Sequence, residues 1–138
     1  MNHEVFLDTA YAIALANVRD ALHPKAVQVA QDLRAQQTKL VTTRAVLLEI
    51  GNALASQRFR TAAVQLLDAL EADPTVGIVP LTNDLYAQAL ILYRSRMDKE
   101  WGLVDCLSFV VMRERMLTEA LTTDQHFEQA GFQALLRT

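Results

Sequence analysis

Hydrophobic positions along the chain follow two patterns, short apolar runs and longer stretches with helical spacing. The short runs are mostly apolar and β-branched, which is typical of strands in the interior of a sheet. We predict five such strands, at residues 4–8, 39–42, 75–79, 117–122 and 132–136.

Between the predicted strands, apolar residues recur at the three- and four-residue spacing of a helix. Residues 59–70 carry one apolar and one polar face, and residues 84–97 repeat this pattern, so both are predicted to be surface helices. Pro24 suits the first turn of a further helix that ends near Gln36. Residues 103–117 are apolar nearly all round, which predicts a buried helix, and residues 10–16 fit a core helix.

The alternation of strands and helices predicts an α/β fold with a mostly parallel sheet covered on both faces, because parallel neighbours need a crossover connection. Four glycines, three prolines and the absence of a linker or repeat indicate a single domain over residues 1–138. Ligands of such sheets bind beyond the carboxyl ends of the strands. Polar residues that follow the predicted strands are therefore the first candidates for a functional site.

Composition excludes several classes of protein. A chain of 138 residues with 51% hydrophobic residues can bury a core without disulfides, and a single cysteine, Cys106, excludes an internal disulfide and a cysteine-based zinc site. The longest apolar run has seven residues, too few to cross a bilayer, and the first residues lack a secretion signal. We therefore expect a cytoplasmic protein with no membrane association. The net charge of −3 gives no sign of a basic nucleic-acid-binding surface.

Of the sixteen acidic residues, four lie in apolar stretches of the sequence, whereas most of the others lie where solvent would reach them. Asp8 ends the first predicted strand, and Asp124 follows the fourth. Glu49 lies in the helix after the second strand, and Asp105 begins the buried helix. By the predicted fold, all four side chains can converge on one pocket.

A carboxylate in an apolar setting is unfavourable unless it is paired, hydrogen-bonded or bound to a metal. Neither Glu49 nor Asp105 has a Lys or Arg three or four residues away. Asn52 and Ser108 occupy such positions instead and are predicted to support the acids by hydrogen bonds.

Clustered carboxylates repel one another unless a divalent cation neutralises them, and oxygen ligands favour Mg²⁺ or Mn²⁺. Such a site suits phosphodiester hydrolysis by a metal-activated water. The alternative is that each acid is a helix cap or a member of a distant ion pair.

The same residues resemble those of a known family. The matching blocks are Phe-Leu-Asp-Thr-Ala-Tyr (6–11), Glu-Ile-Gly-Asn (49–52), Asp-Lys-Glu-Trp-Gly-Leu-Val-Asp-Cys-Leu-Ser-Phe (98–109) and Leu-Thr-Thr-Asp-Gln-His-Phe-Glu-Gln-Ala-Gly-Phe (121–132). In this order they resemble a PIN domain of the VapC-like toxin ribonucleases, and the last two blocks are the most specific.

The resemblance implies a three-layer α/β/α fold and an Mg²⁺- or Mn²⁺-dependent endoribonuclease that leaves 5′-phosphate ends. It implies an RNA substrate, a cognate antitoxin that holds the toxin inactive, and a homodimer. The residues that it makes catalytic and metal-binding are Asp8, Glu49, Asp105 and Asp124. It also implies supporting hydroxyl groups at Thr9 and Thr123.

Two other functions compete with this one. A phosphotransfer domain also has acids at strand ends, but haloacid-type phosphatases need a second Asp where Ala10 stands, and receivers need adjacent acids before the first loop, from which Glu4 is too distant. A catalytically silent PIN-like module that binds RNA or protein is the second alternative. The retention of all four acids argues against it.

The four acids also change the meaning of the charge. Without them, twelve acids face thirteen basic residues, so the chain's negative charge is partly that of the predicted site. Ten of the basic residues are arginines, whose guanidinium suits phosphate. Candidates for the rim of an RNA path are Arg19, Arg44, Arg58, Arg60, Arg94 and Arg96. For His126 we expect a helix-terminal structural hydrogen bond rather than a contact with RNA.

Overall fold

A computed structural model describes residues 3–137. Within this range, five strands form one fully parallel sheet in the order β3-β2-β1-β4-β5. The strands are β1 (Glu4–Leu7), β2 (Lys39–Thr43), β3 (Val76–Val79), β4 (Glu119–Leu121) and β5 (Gln133–Ala134). The sheet and its flanking helices confirm the predicted α/β fold.

The described residues contain seven α-helices. They are α1 (Thr9–Ala16), α2 (His23–Ala35), α3 (Arg44–Ala53), α4 (Gln57–Ala72), α5 (Asn83–Ser95), α6 (Leu103–Glu114) and α7 (Gln125–Gln129). None of the helices in the described part of the chain is long and apolar enough to span a bilayer.

The centre of the sheet is β1, whose Val5, Phe6 and Leu7 are almost completely buried. It pairs with β2 on one side and with β4 on the other. The chain therefore adds β2 and β3 on one side of β1 and then crosses to the other side to add β4 and β5. In the register of the β1–β4 pair, Leu7 lies opposite Leu121. The residues that leave these two strands, among them Asp8, therefore lie side by side at a topological switch point.

Two predicted boundaries at the end of α6 were wrong. Residues 103–117 were predicted to be helical, but α6 ends at Glu114. Met116 has a φ of 56°, and the N–H of Leu117 donates to the carbonyl of Met112, which is a left-handed helix cap. The next strand, predicted at 117–122, therefore starts only at Glu119.

The last predicted strand, at 132–136, is also shorter than expected. Only Gln133 and Ala134 pair with β4, and Leu135–Arg137 form a 3₁₀ turn. The N–H of Leu136 donates to the carbonyl of Thr122, which draws the chain away from the sheet ladder. Apolar composition alone does not distinguish this turn from a strand.

An aromatic cluster fixes α6 and α7 against the sheet. The Phe109 ring lies 5.0 Å from the rings of both Trp101 and Phe127, in edge-to-face geometry, and 5.7 Å from Phe132. Phe127 in turn lies 6.2 Å from Phe6 of the central strand. The cluster therefore holds the amino-terminal ends of α6 and α7, which carry acidic residues, in a fixed position beside β1.

Candidate active site

An open cleft of about 590 Å³ lies beyond the carboxyl ends of β1 and β4. Its lining includes seven of the eight residues predicted from the sequence to form or support the site, together with Ala10, Ile13 and Ala53. The seven are Asp8, Thr9, Glu49, Asn52, Asp105, Thr123 and Asp124. The structure thus brings the four acids to one place, as their positions in the predicted fold suggested.

Ser108 is the predicted residue that the structure does not bring to the cleft. It lies on α6 one turn after Asp105, but its side chain is buried and its hydroxyl donates to the carbonyl of Val104 at 3.1 Å. A serine inside a helix commonly satisfies its hydroxyl on the preceding turn in this way. Ser108 therefore stabilises its own helix and makes no hydrogen bond to the acids.

Asp8 is the most buried of the acids, with 8% of its surface exposed. Burial raises the pKa of its carboxyl group to about 6, and the charges of Asp105 and Glu49 contribute in the same direction. The Thr122 hydroxyl donates to Asp8 Oδ2 at 2.7 Å and partly offsets this increase. Asp8 is thus a carboxylate whose negative charge is disfavoured in the metal-free protein.

Glu49 lies on the second turn of α3, a helix that begins at once after β2. The hydroxyl of Thr43 accepts a hydrogen bond from the N–H of Val46 and so caps this helix. Burial, with the charges of Asp105 and Asp124, raises the pKa of Glu49. The Thr9 hydroxyl donates to Glu49 Oε1 at 2.9 Å and fixes the carboxylate across the cleft from α1.

Asp105 lies in the first turn of α6, where an acid interacts favourably with the helix dipole. The N–H of Gly102, the N-cap residue, donates to Asp105 Oδ2 at 3.0 Å, which is the half of a capping box that the acid at the third helical position supplies. Burial is the main cause of a raised pKa for Asp105, and the charge of Asp124 adds to it.

Asp124 caps the short helix α7, because its Oδ1 accepts a hydrogen bond from the N–H of His126 at 2.8 Å. Its own N–H donates to the Thr122 hydroxyl at 3.0 Å. Since that hydroxyl also donates to Asp8, Thr122 connects the acid after β1 with the acid after β4.

Sequence reasoning missed the role of Thr122. The supporting hydroxyl was assigned to Thr123, which lines the cleft, whereas Thr122 makes the hydrogen bond to Asp8. For His126 a helix-terminal structural hydrogen bond was expected, and its Nδ1 lies 3.1 Å from Asp105 Oδ2, although the sequence did not indicate this partner. The available signal for Thr122 was its place at the end of the fourth predicted strand, two residues before Asp124.

The donor set of the cleft fits a divalent cation. Four carboxylates converge there, and the charge of at least one other acid of the cleft contributes to the raised pKa of Asp8, Glu49 and Asp105. Among the described residues that line the cleft, none is a Lys or Arg that could neutralise them. Carboxylate oxygens are the ligands that Mg²⁺ and Mn²⁺ prefer.

The chain has relatives of known structure and activity. The model of the PIN domain family matches residues 5–133. The 23S rRNA-specific endonuclease VapC20 of Mycobacterium tuberculosis, from strains CDC 1551 / Oshkosh and H37Rv, is 30% identical over 128 residues, which are 93% of this chain and 95% of the relative. The crystal structure of Mycobacterium tuberculosis VapC20, described as a Sarcin-Ricin loop cleaving toxin, superimposes with a TM-score of 0.80 at 31% identity and covers the same shares.

A more distant structure, FitAcB from Neisseria gonorrhoeae, has the same fold, with a TM-score of 0.63 at 20% identity over 94% of each chain. The family match spans all four acids of the cleft. The chain therefore belongs to the PIN-domain family and, within it, to the VapC-like toxin ribonucleases.

Proposed function

We propose that this toxin ribonuclease is an Mg²⁺- or Mn²⁺-dependent endonuclease of ribosomal RNA. The proposed metal ligands are Asp8, Glu49, Asp105 and Asp124. The observation that carries the proposal is the convergence of these four carboxylates in one open cleft without a neutralising basic residue in its described lining. The similarity to VapC20, a 23S rRNA-specific endonuclease, supports ribosomal RNA as the substrate.

An RNA phosphate would be repelled by this cleft if the carboxylates stood alone. A bound divalent cation would neutralise them, lower the pKa of a water molecule and offset the charge that develops on the phosphate. The residues of the chain hold the ligands in place for this role. The hydrogen bonds from Thr9 and Gly102 hold the carboxylates of Glu49 and Asp105 in place and leave lone pairs on both groups that can bind the cation.

Basic residues outside the cleft do not all have free guanidinium groups for RNA. Among the arginines proposed for the rim, Arg44 pairs with Glu71, Arg96 with Asp98, and Arg60 with the carbonyl of Ala55. The cation in the cleft is therefore the main attraction for the scissile phosphate in this proposal.

A cognate antitoxin partner and a homodimer also belong to this proposal, as they follow from membership of the VapC-like toxins. Nothing in the structure favours the catalytically silent alternative. All four acids are present, and each lines the cleft.

The direct test is cleavage of purified ribosomes and of 23S rRNA by the purified protein. We expect discrete cuts, mapped by primer extension, in the presence of millimolar Mg²⁺ or Mn²⁺, and complete loss of cutting in EDTA. Restoration of cutting by excess Mn²⁺ after EDTA is the control for irreversible damage. Cutting that persists in EDTA, or intact RNA with both cations, would contradict the proposal.

Thr9 provides a finer test of how the ligands are held. Thr9→Val keeps the shape of the side chain but removes the hydroxyl that donates to Glu49. We expect about a 10-fold loss of cleavage rate at subsaturating Mn²⁺, which is the usual scale for a group that orients a metal ligand. Saturating Mn²⁺ should recover most of the rate.

The matched control is Thr9→Ser, which keeps the hydroxyl. Its cleavage rate should stay within about threefold of the wild type, on the scale of a retained orienting group. Equal losses in the Val and Ser variants would show that Thr9 acts through its methyl group and packing, contrary to the prediction.

A further inference from the structure

His126 lies beside two of the acids of the cleft. Its Nδ1 is 3.1 Å from Asp105 Oδ2 and 3.3 Å from Asp124 Oδ1. Ligand atoms of these three residues all lie within 4.8 Å of one another, which is a spacing that could hold a metal ion. The His126 side chain is 23% exposed, so a cation and solvent can reach the ring.

We propose that His126 Nδ1 is a ligand of the divalent cation in this cleft and that it makes the site prefer Mn²⁺ and related transition metals over Mg²⁺. The inference rests on the proposed function, since it presupposes a divalent cation at the four carboxylates. It adds to that function a nitrogen ligand and a metal preference.

The position of the imidazole is fixed by the fold. The His126 N–H donates to Asp124 Oδ1, so the residue that caps α7 also sets the direction in which His126 leaves the backbone. The next residue, Phe127, is completely buried and packs against Phe109 and Phe6. Because this anchor is rigid, the ring is presented to Asp105 and Asp124 before a cation arrives.

The distances suit a shared cation. Adjacent ligands of an octahedral ion with bonds of 2.0–2.1 Å lie about 2.8–3.0 Å apart. The two nitrogen–oxygen distances at His126, 3.1 and 3.3 Å, need only a small contraction to reach this value. As a ligand, the imidazole would present the lone pair of Nδ1 to the cation and carry its hydrogen on Nε2.

The nitrogen atom matters for the choice of metal. Mg²⁺ is bound almost entirely by oxygen and keeps much of its water, whereas imidazole is a favourable ligand for first-row transition metals. A site built only from carboxylates would discriminate weakly between Mg²⁺ and Mn²⁺. A site with one imidazole gains affinity for Mn²⁺, and more for Co²⁺, along the usual order of stability.

The experiment measures the ligand directly, without reference to cleavage. Mn²⁺ is added to the purified protein, and electron spin-echo spectroscopy records modulation from a coordinated nitrogen nucleus. We expect ¹⁴N modulation in the wild type, and its replacement by a ¹⁵N pattern when the histidines are ¹⁵N-labelled. The labelled wild type needs no substitution, so the result does not depend on the folding of a variant.

Calorimetric titrations with Mn²⁺ and with Mg²⁺ then assign the nitrogen to His126. In His126→Ala, the affinity for Mn²⁺ should fall about 10- to 100-fold and that for Mg²⁺ less than about threefold. Gln125→Ala, at the exposed neighbouring position on α7, is the matched control and should change neither affinity.

Each other outcome overturns the inference. Mn²⁺ binding without nitrogen modulation would show a site of oxygen ligands alone and leave the proposed function intact. An equal loss of Mn²⁺ and Mg²⁺ affinity in His126→Ala would show that His126 only positions the carboxylates. A wild type that binds neither cation would overturn the proposed metal site as well.

Discussion

Asp105→Asn is expected to reduce RNA cleavage by about a thousandfold or more, the scale seen when a group central to transition-state stabilisation is removed. The charge of Asp105 contributes to the raised pKa of both Asp8 and Glu49, so Asp105 interacts with two of the other three acids of the cleft. Asparagine keeps the side-chain oxygen that can accept from the N–H of Gly102, so the cap of α6 should persist.

The measurement compares initial cleavage rates at saturating Mn²⁺ with the melting temperature of the same preparations. Asp98→Asn is the matched control, because Asp98 lies in the preceding loop, is exposed, and pairs with Arg96 and Lys99. Exposed ion pairs contribute little to stability, so this variant should fold and cleave like the wild type. Equal activity in the two variants would contradict a ligand role for Asp105.

Most strands and helices could be predicted because the chain's apolar pattern is local and regular. β1, β2 and β3 lie within one residue of their predicted bounds at each end. The ends of α6 and β5 could not be predicted in this way, since they depend on a left-handed Met116 and on a hydrogen bond from Leu136 to Thr122. Neither feature leaves a mark in hydrophobic periodicity.

The acids of the site could be predicted because a carboxylate in an apolar stretch is conspicuous without any knowledge of the fold. Their hydrogen-bond partners could not be predicted from the residues alone, since a hydroxyl or imidazole is ordinary in sequence and acts only through its direction. Thr9, which donates to Glu49, was implied only by the family resemblance. Thr122 and Asp8 are 114 residues apart and meet because β4 pairs with β1. Ser108 was wrongly expected to support Asp105, although a backbone carbonyl on its own helix was the nearer acceptor.

Asp8→Asn is expected to abolish cleavage and at the same time to stabilise the metal-free protein at pH 8. Burial raises the pKa of Asp8 to about 6, so the folded state prefers the protonated carboxyl. The associated stability is fully present below the unfolded pKa near 4 and is lost as the pH rises through 6. Above that pH, the charged Asp8 costs about 3 kcal/mol, which asparagine avoids while keeping an oxygen that can accept from Thr122.

Thermal melts in EDTA test whether the charge of Asp8 destabilises the metal-free protein. At pH 8 the Asn variant should melt roughly 10 °C above the wild type. At pH 4, where Asp8 is protonated in the folded state and about half protonated in the unfolded state, the difference should fall to a small fraction of this value. Saturating Mn²⁺ at pH 8 should raise the melting temperature of the wild type much more than that of the variant, because the cation binds the folded carboxylate cluster. A gain of equal size at pH 4 would assign the effect to packing instead of charge. A lower melting temperature for the variant at pH 8 would mean that the charged Asp8 stabilises the fold, contrary to this prediction.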